Sequence, residues 1–138
     1  MILFLPIFVS LFSIVFALFL IQKVNKAPSG TPQMVEISSA IQEGARAFLK
    51  RQYKIVGIVA VFLFVLLWWA LGLKVAFGFL VGALASGLSG FIGMSVSTKA
   101  NLKVAQISEK GLAKALSLAF QAGSVTGFLV VGLGLLSI

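Results

Sequence analysis

Four runs without a charged side chain organise this chain: residues 2–22, 55–73, 75–98 and 115–138. Each meets the requirement of roughly 20 apolar residues for a helix crossing about 30 Å of hydrocarbon. The composition agrees, with 10% charged residues against about 25% in a soluble domain, and a mean hydropathy of +1.15. A closed β-barrel, the other structure that satisfies its backbone in lipid, needs short alternating strands, and the sequence contains none. The expected fold class is an all-α integral membrane protein with four transmembrane helices.

The residue inventory restricts the chemistry. There is no Cys, His or Asp, and the three carboxylates, Glu36, Glu43 and Glu109, all lie between the runs. Disulfides are excluded, as are the usual zinc, thiol and imidazole chemistries. An ionisable residue inside a span is the default marker of an ion pathway, and none of the four runs supplies one. No residue is assigned a catalytic, cofactor-binding or metal-binding role. The net charge of +8 does not argue for a nucleic-acid partner, because the basic residues flank the spans instead of forming a soluble patch.

Those basic residues orient the chain. Lys23, Lys26, Arg46, Lys50, Arg51 and Lys54 separate the first two runs, and Lys99, Lys103, Lys110 and Lys114 separate the last two. Lys74 stands alone between the second and third. Four spans put the two rich loops, 23–54 and 99–114, on one side, and the positive-inside rule makes that side cytoplasmic. The N-terminus and residue 138 are then expected outside. A cleaved signal peptide fits the first run less well, since its charges follow the apolar stretch and no clean small-residue cleavage site comes after it.

Local signals fill in the rest. Thr31 followed by Pro32 is a helix start, with Thr as N-cap and Pro at the first helical position. From there Met34, Ile37, Ile41, Ala45 and Phe48 recur at spacings of three or four, opposite Glu36, Glu43, Arg46 and Lys50. This is an amphipathic cytoplasmic helix, either lying on the lipid surface or rising straight into the second span. Trp68 and Trp69 close that span where amphipathic rings favour the interface. Residues 99–114 read as a turn region.

The last two spans carry rows of small residues. Gly78, Gly82, Ser86, Gly90 and Met94 recur every four positions, with Ser89, Gly93 and Ser97 on the adjacent ridge; the fourth span has Gly111, Ala115, Ala119, Gly123 and Gly127. Such rows let helix backbones approach closely where lipid removes the hydrophobic term, and tight packing is the reading preferred over a substrate path. Gln121, about 10 Å past Lys114 along the helix, is expected to face protein, where its amide is paired by a structural hydrogen bond.

Three blocks, EISSAIQEGARAFLKRQYK (36–54), SGFIGMSVSTKAN (89–101) and GLAKALSLAFQAGSVTGFLVVGLGLL (111–136), resemble in order the membrane-bound, ion-translocating inorganic pyrophosphatases. Members of that family are much longer, so the chain is similar to their N-terminal portion and is expected to be part of a larger helical bundle. The resemblance implies hydrolysis of magnesium pyrophosphate coupled to outward pumping of protons or sodium ions. It implies Mg2+, in some members K+, a homodimer, the lipid bilayer and the remaining helices of the pump as partners. The family's aspartate-rich motifs have no counterpart in a chain without Asp. Gln121 departs from the pattern, standing where the family commonly has Arg. The segment is expected to be inactive alone, as one membrane domain over residues 1–138 that serves as scaffold. The competing expectation is a complete small four-span protein acting as a structural or assembly subunit. A pore formed by oligomerising the small-residue rows lacks a polar lining.

Overall fold

The computed structural model describes residues 4–137, which form four helices: α1 (Phe4–Lys26), α2 (Pro32–Leu71), α3 (Leu73–Ser108) and α4 (Leu112–Leu136). All four are long and apolar enough to cross a membrane. The chain is an all-α membrane protein. Residues 2 and 138, the outer limits of the first and last charge-free runs, lie outside the described residues.

Helix boundaries follow local chemistry. Pro6 sits in the first turn of α1, where a missing N–H costs least, and Lys23 and Lys26 in its last turn complement the negative end of the helix dipole. Thr31 caps α2 from an extended backbone, its hydroxyl accepting from the Met34 N–H at 3.4 Å, with Pro32 at the first helical position. The helix then continues unbroken for 40 residues. Of the two arrangements open for the amphipathic segment, the helix rises straight into the second span. Gly57 does not interrupt it and has open space around it.

Two glycines make the sharp reversals. Gly72 alone joins α2 to α3 at φ +91°, donating its N–H to the Trp68 carbonyl at 3.1 Å, and Gly111 precedes α4 at φ +114°. A side chain is strained in either conformation. The expected turn region 99–114 is shorter than the sequence suggested, because α3 remains helical through Ser108. Residues 99–108 contain no glycine or proline to stop it, and Lys, Ala, Leu and Gln all sustain a helix.

The helices pack in the order α2, α3, α4, α1, with a smaller contact between α1 and α3. The core lies among α1, α3 and α4, around Ala17, Leu20, Val24, Val96, Ala100, Leu118, Ala122, Val125 and Leu129. Buried positions keep an alternating three–four spacing in all three: Ser10, Ser13, Ala17, Leu20 and Val24 in α1; Ser89, Gly93, Val96, Ala100 and Lys103 in α3; Ala115, Leu118, Ala122, Val125, Leu129 and Gly132 in α4. That average of 3.5 keeps a contact line on one side of a helix and is the packing of left-handed bundles.

The every-fourth-residue rows fare differently. Gly78, Gly82, Gly123 and Gly127 face open space, and the contact runs along the neighbouring ridge through Ser89 and Gly93. A strict spacing of four overshoots the 3.6-residue turn by about 40° per step, so such a row winds away from a straight seam. Likewise Ile37, Ile41 and Phe48 of the amphipathic face remain exposed. The side of α2 that meets α3 carries buried Ser38 and Leu49 and half-buried Gln42, Ala45 and Tyr53. Gln42 is spent locally, donating to the Ser38 hydroxyl at 3.1 Å.

Candidate functional site

Three joints hold the helices in register. At the first, α3 and α4 approach so closely that a Cβ on Gly93 would strike the Thr126 hydroxyl and lie 2.9 Å from the Thr126 Cβ. A matching approach joins α4 to α1, where a Cβ on Gly132 would come within 2.7 Å of Ile14 and 3.0 Å of the Ser10 carbonyl oxygen. At the second, Tyr53 reaches across from α2 and donates to the Gly87 carbonyl at 2.6 Å. Its ring fits a notch left by Gly87 and Gly90 and meets Phe91 edge-on at 6.2 Å.

The third joint is Lys103. Its side chain is buried, and Nζ donates to the Val24 carbonyl at 3.0 Å and the Asn25 carbonyl at 2.6 Å. These are carbonyls in the last turn of α1, where the i+4 partners run out; the Val24 carbonyl also accepts the Ala27 N–H at 3.2 Å. A cation there also answers the negative end of the helix dipole. Burial, and secondarily the nearby Lys99 charge, push the Lys103 ammonium below its ordinary 10.5. The two carbonyls offset that desolvation.

The basic residues of the loops 23–54 and 99–114, a collar at one end of the spans, are divided by the packing. Arg46 of α2 and Lys99 of α3 line one cleft of about 170 Å3, together with Gln42, Ser95 and Thr98. Lys50 lines the adjoining cavity with Arg46, Leu49, Tyr53 and Phe91. Arg51 and Lys54 are exposed. Gln121 is half-buried, and its amide donates to Ser117 one turn back on its own helix at 3.0 Å, while its carbonyl oxygen is buried without a partner. Its bond is structural but stays within α4.

Sequence reasoning missed Lys103 and Tyr53 as joints. Lys103 carried a signal: it lies three residues after Ala100 and seven after Val96, on the buried three–four line. Tyr53 carried none, since its acceptor is a backbone carbonyl 34 residues away. The magnesium implied by the resemblance has no donor set in this segment. Among the described residues, no three His, Cys, Asp or Glu side chains come together.

The site is therefore a set of helix joints with a basic end, the framework of a multi-helix membrane protein. A family profile described as Inorganic H+ pyrophosphatase matches residues 11–138, and the chain belongs to that family. It is 44% identical over 128 residues to a K(+)-insensitive pyrophosphate-energized proton pump of Methanosarcina mazei, an alignment covering 91% of this chain and 19% of the relative. It is 41% identical over 135 residues to a putative K(+)-stimulated pyrophosphate-energized sodium pump of Bacteroides thetaiotaomicron, covering 94% and 18%. A K(+)-insensitive pyrophosphate-energized proton pump 2 of Moorella thermoacetica shares 45% over 125 residues, covering 88% and 18%. The chain spans about a fifth of the length of these relatives.

Proposed function

We infer that this chain is the N-terminal scaffold segment of a membrane pyrophosphatase that couples hydrolysis of magnesium pyrophosphate to outward pumping of protons or sodium ions. The carrying observation is a family match over residues 11–138 in a segment whose one buried charge among the described residues, Lys103, is occupied by backbone carbonyls. Substrate, Mg2+ and any K+ belong to other parts of the pump. This segment, one membrane domain, contributes packing, orientation and no catalytic residue. The loops rich in Lys and Arg face the cytoplasm, and the working pump is a homodimer.

The experiment is segment exchange. The Methanosarcina mazei pump, with its matched segment replaced by residues 11–138, should retain pyrophosphate hydrolysis and pyrophosphate-driven proton uptake in membrane vesicles. The 138-residue chain alone should hydrolyse none. Hydrolysis by the isolated chain would refute the scaffold role.

A further inference from the structure

One seam between α2 and α3 changes character along its length. At the basic end is the 170 Å3 cleft carrying Arg46 and Lys99, both exposed, with the half-buried Ser95 and Thr98 between them. That volume far exceeds the roughly 10–15 Å3 that admits one water, leaving room for a phosphate-sized group. The Thr98 hydroxyl is bonded to its own helix at the Met94 and Ser95 carbonyls, which leaves the Arg46 guanidinium, the Lys99 ammonium and the Ser95 hydroxyl to meet an anion. The cavity bearing Arg46, Lys50 and Tyr53 continues the seam. Below Tyr53 opens an almost wholly apolar trough of about 350 Å3, floored by small residues (Gly57, Ala60, Ala83 and Gly87) and walled by Leu84 and Leu88.

We propose that this seam is a binding site for one anionic phospholipid, its headgroup phosphate held between Arg46 and Lys99 and an acyl chain lying in the Gly57–Ala83 trough. Charge complementarity selects the occupant. Guanidinium and ammonium donors match a phosphate's oxygens, and clustered cations at the edge of a span favour anionic headgroups. A free phosphate would use the cleft but leave the trough without purpose. A neighbouring apolar helix would fill the trough but leave two cations facing nothing. A lipid satisfies both halves in one molecule. The inference rests on α2 and α3 crossing the bilayer, not on the pumping activity.

The test is native mass spectrometry of the full protein purified in mild detergent, given dioleoyl phosphatidylglycerol and dioleoyl phosphatidylcholine in competition. The unmodified protein should retain one phosphatidylglycerol in preference to phosphatidylcholine. Arg46→Gln with Lys99→Gln should lower that occupancy at least about fivefold, the weight of a single interfacial cation. The same charge loss at Lys110 and Lys114, which line neither cleft nor trough, should leave it unchanged. Ala83→Phe, which fills the trough and spares the cations, should also lower it. No preference in the unmodified protein, equal loss from both charge pairs, or indifference to Ala83→Phe would each overturn the proposal. Because the lipid competition uses unmodified protein, its outcome does not depend on any variant folding.

Discussion

Gly93→Ala probes the helix packing at its tightest point. The added Cβ would lie 2.9 Å from the Thr126 Cβ and 2.8 Å from its Cγ2, where carbon atoms prefer about 3.5–4.0 Å. Neither atom is the far end of a flexible chain, so α3 and α4 must part by roughly 1 Å. Overpacking of this kind costs about 1–3 kcal/mol, and the better helix propensity of alanine returns up to about 1 kcal/mol. The expected net loss is therefore about 1–2 kcal/mol. Gly127→Ala, one turn from Gly123 with open space around it, supplies the control and should be neutral or slightly stabilising. The assay is the unfolding midpoint in sodium dodecyl sulfate mixed micelles, read by far-UV circular dichroism. Adding Thr126→Gly removes the opposing atoms, so the double variant should recover at least about 1 kcal/mol relative to additivity, as expected for residues in contact. Wild-type stability for Gly93→Ala, or strict additivity with Thr126→Gly, would refute a steric seam at this position.

Other outcomes follow from the remaining joints. Lys103→Met should destabilise by about 1–2 kcal/mol in the same assay, since a charged donor bond is worth about 1.5–3 kcal/mol and relief of lysine desolvation returns part of it. Lys103 titrates below its ordinary 10.5 in the folded chain, so the unfolded state binds its proton more tightly. Its contribution to stability should rise as pH climbs through the lowered value towards 10.5, and this increment should vanish in Lys103→Met. Tyr53→Phe removes the bond to the Gly87 carbonyl, which keeps its partner within α3, and should cost about 1 kcal/mol, with the Phe91 contact retained. With no native cysteine, a cysteine at Lys110 should react with a membrane-impermeant maleimide only from the cytoplasmic side and one at Leu73 only from outside; the reverse pattern would invert the topology.

The fold was legible wherever hydrocarbon sets the rule. Long charge-free runs must be helices in lipid, and Thr31 and Pro32 were readable from neighbours in sequence, whereas the reversal falls at Gly72, inside the run 55–73, and not at Lys74. What resisted was the choice of helix face. In water, the apolar stripe of a helix points to the core; in lipid, both faces are apolar and small residues decide the contact. Hence the rows through Gly78 and Gly127 looked like seams, while Ser10, Ser13 and Ala17 of α1, which do pack, were masked by the phenylalanines around them. The division of the collar, with Arg46 facing Lys99 across a cleft, depended on how α2 rotates against α3. No local pattern encodes that rotation. Gln121 was expected to face protein with its amide paired, but its depth along the helix could not reveal that its N–H bonds Ser117 on the same helix while its carbonyl oxygen has no partner.

The unbroken α2 carries a mechanical consequence. Its 40 residues make a rod of about 60 Å, of which only about 30 Å fits within hydrocarbon. With no proline after Pro32 and no hinge at Gly57, the protruding half must follow any movement of the embedded half. A tilt of about 5° would swing the Pro32 end through roughly 3 Å over the approximately 30 Å that separate it from Tyr53. The helix is thus a stiff rod, packed on α3 from Ser38 to Tyr53, able to convey a small rearrangement among neighbouring helices to the membrane surface without bending.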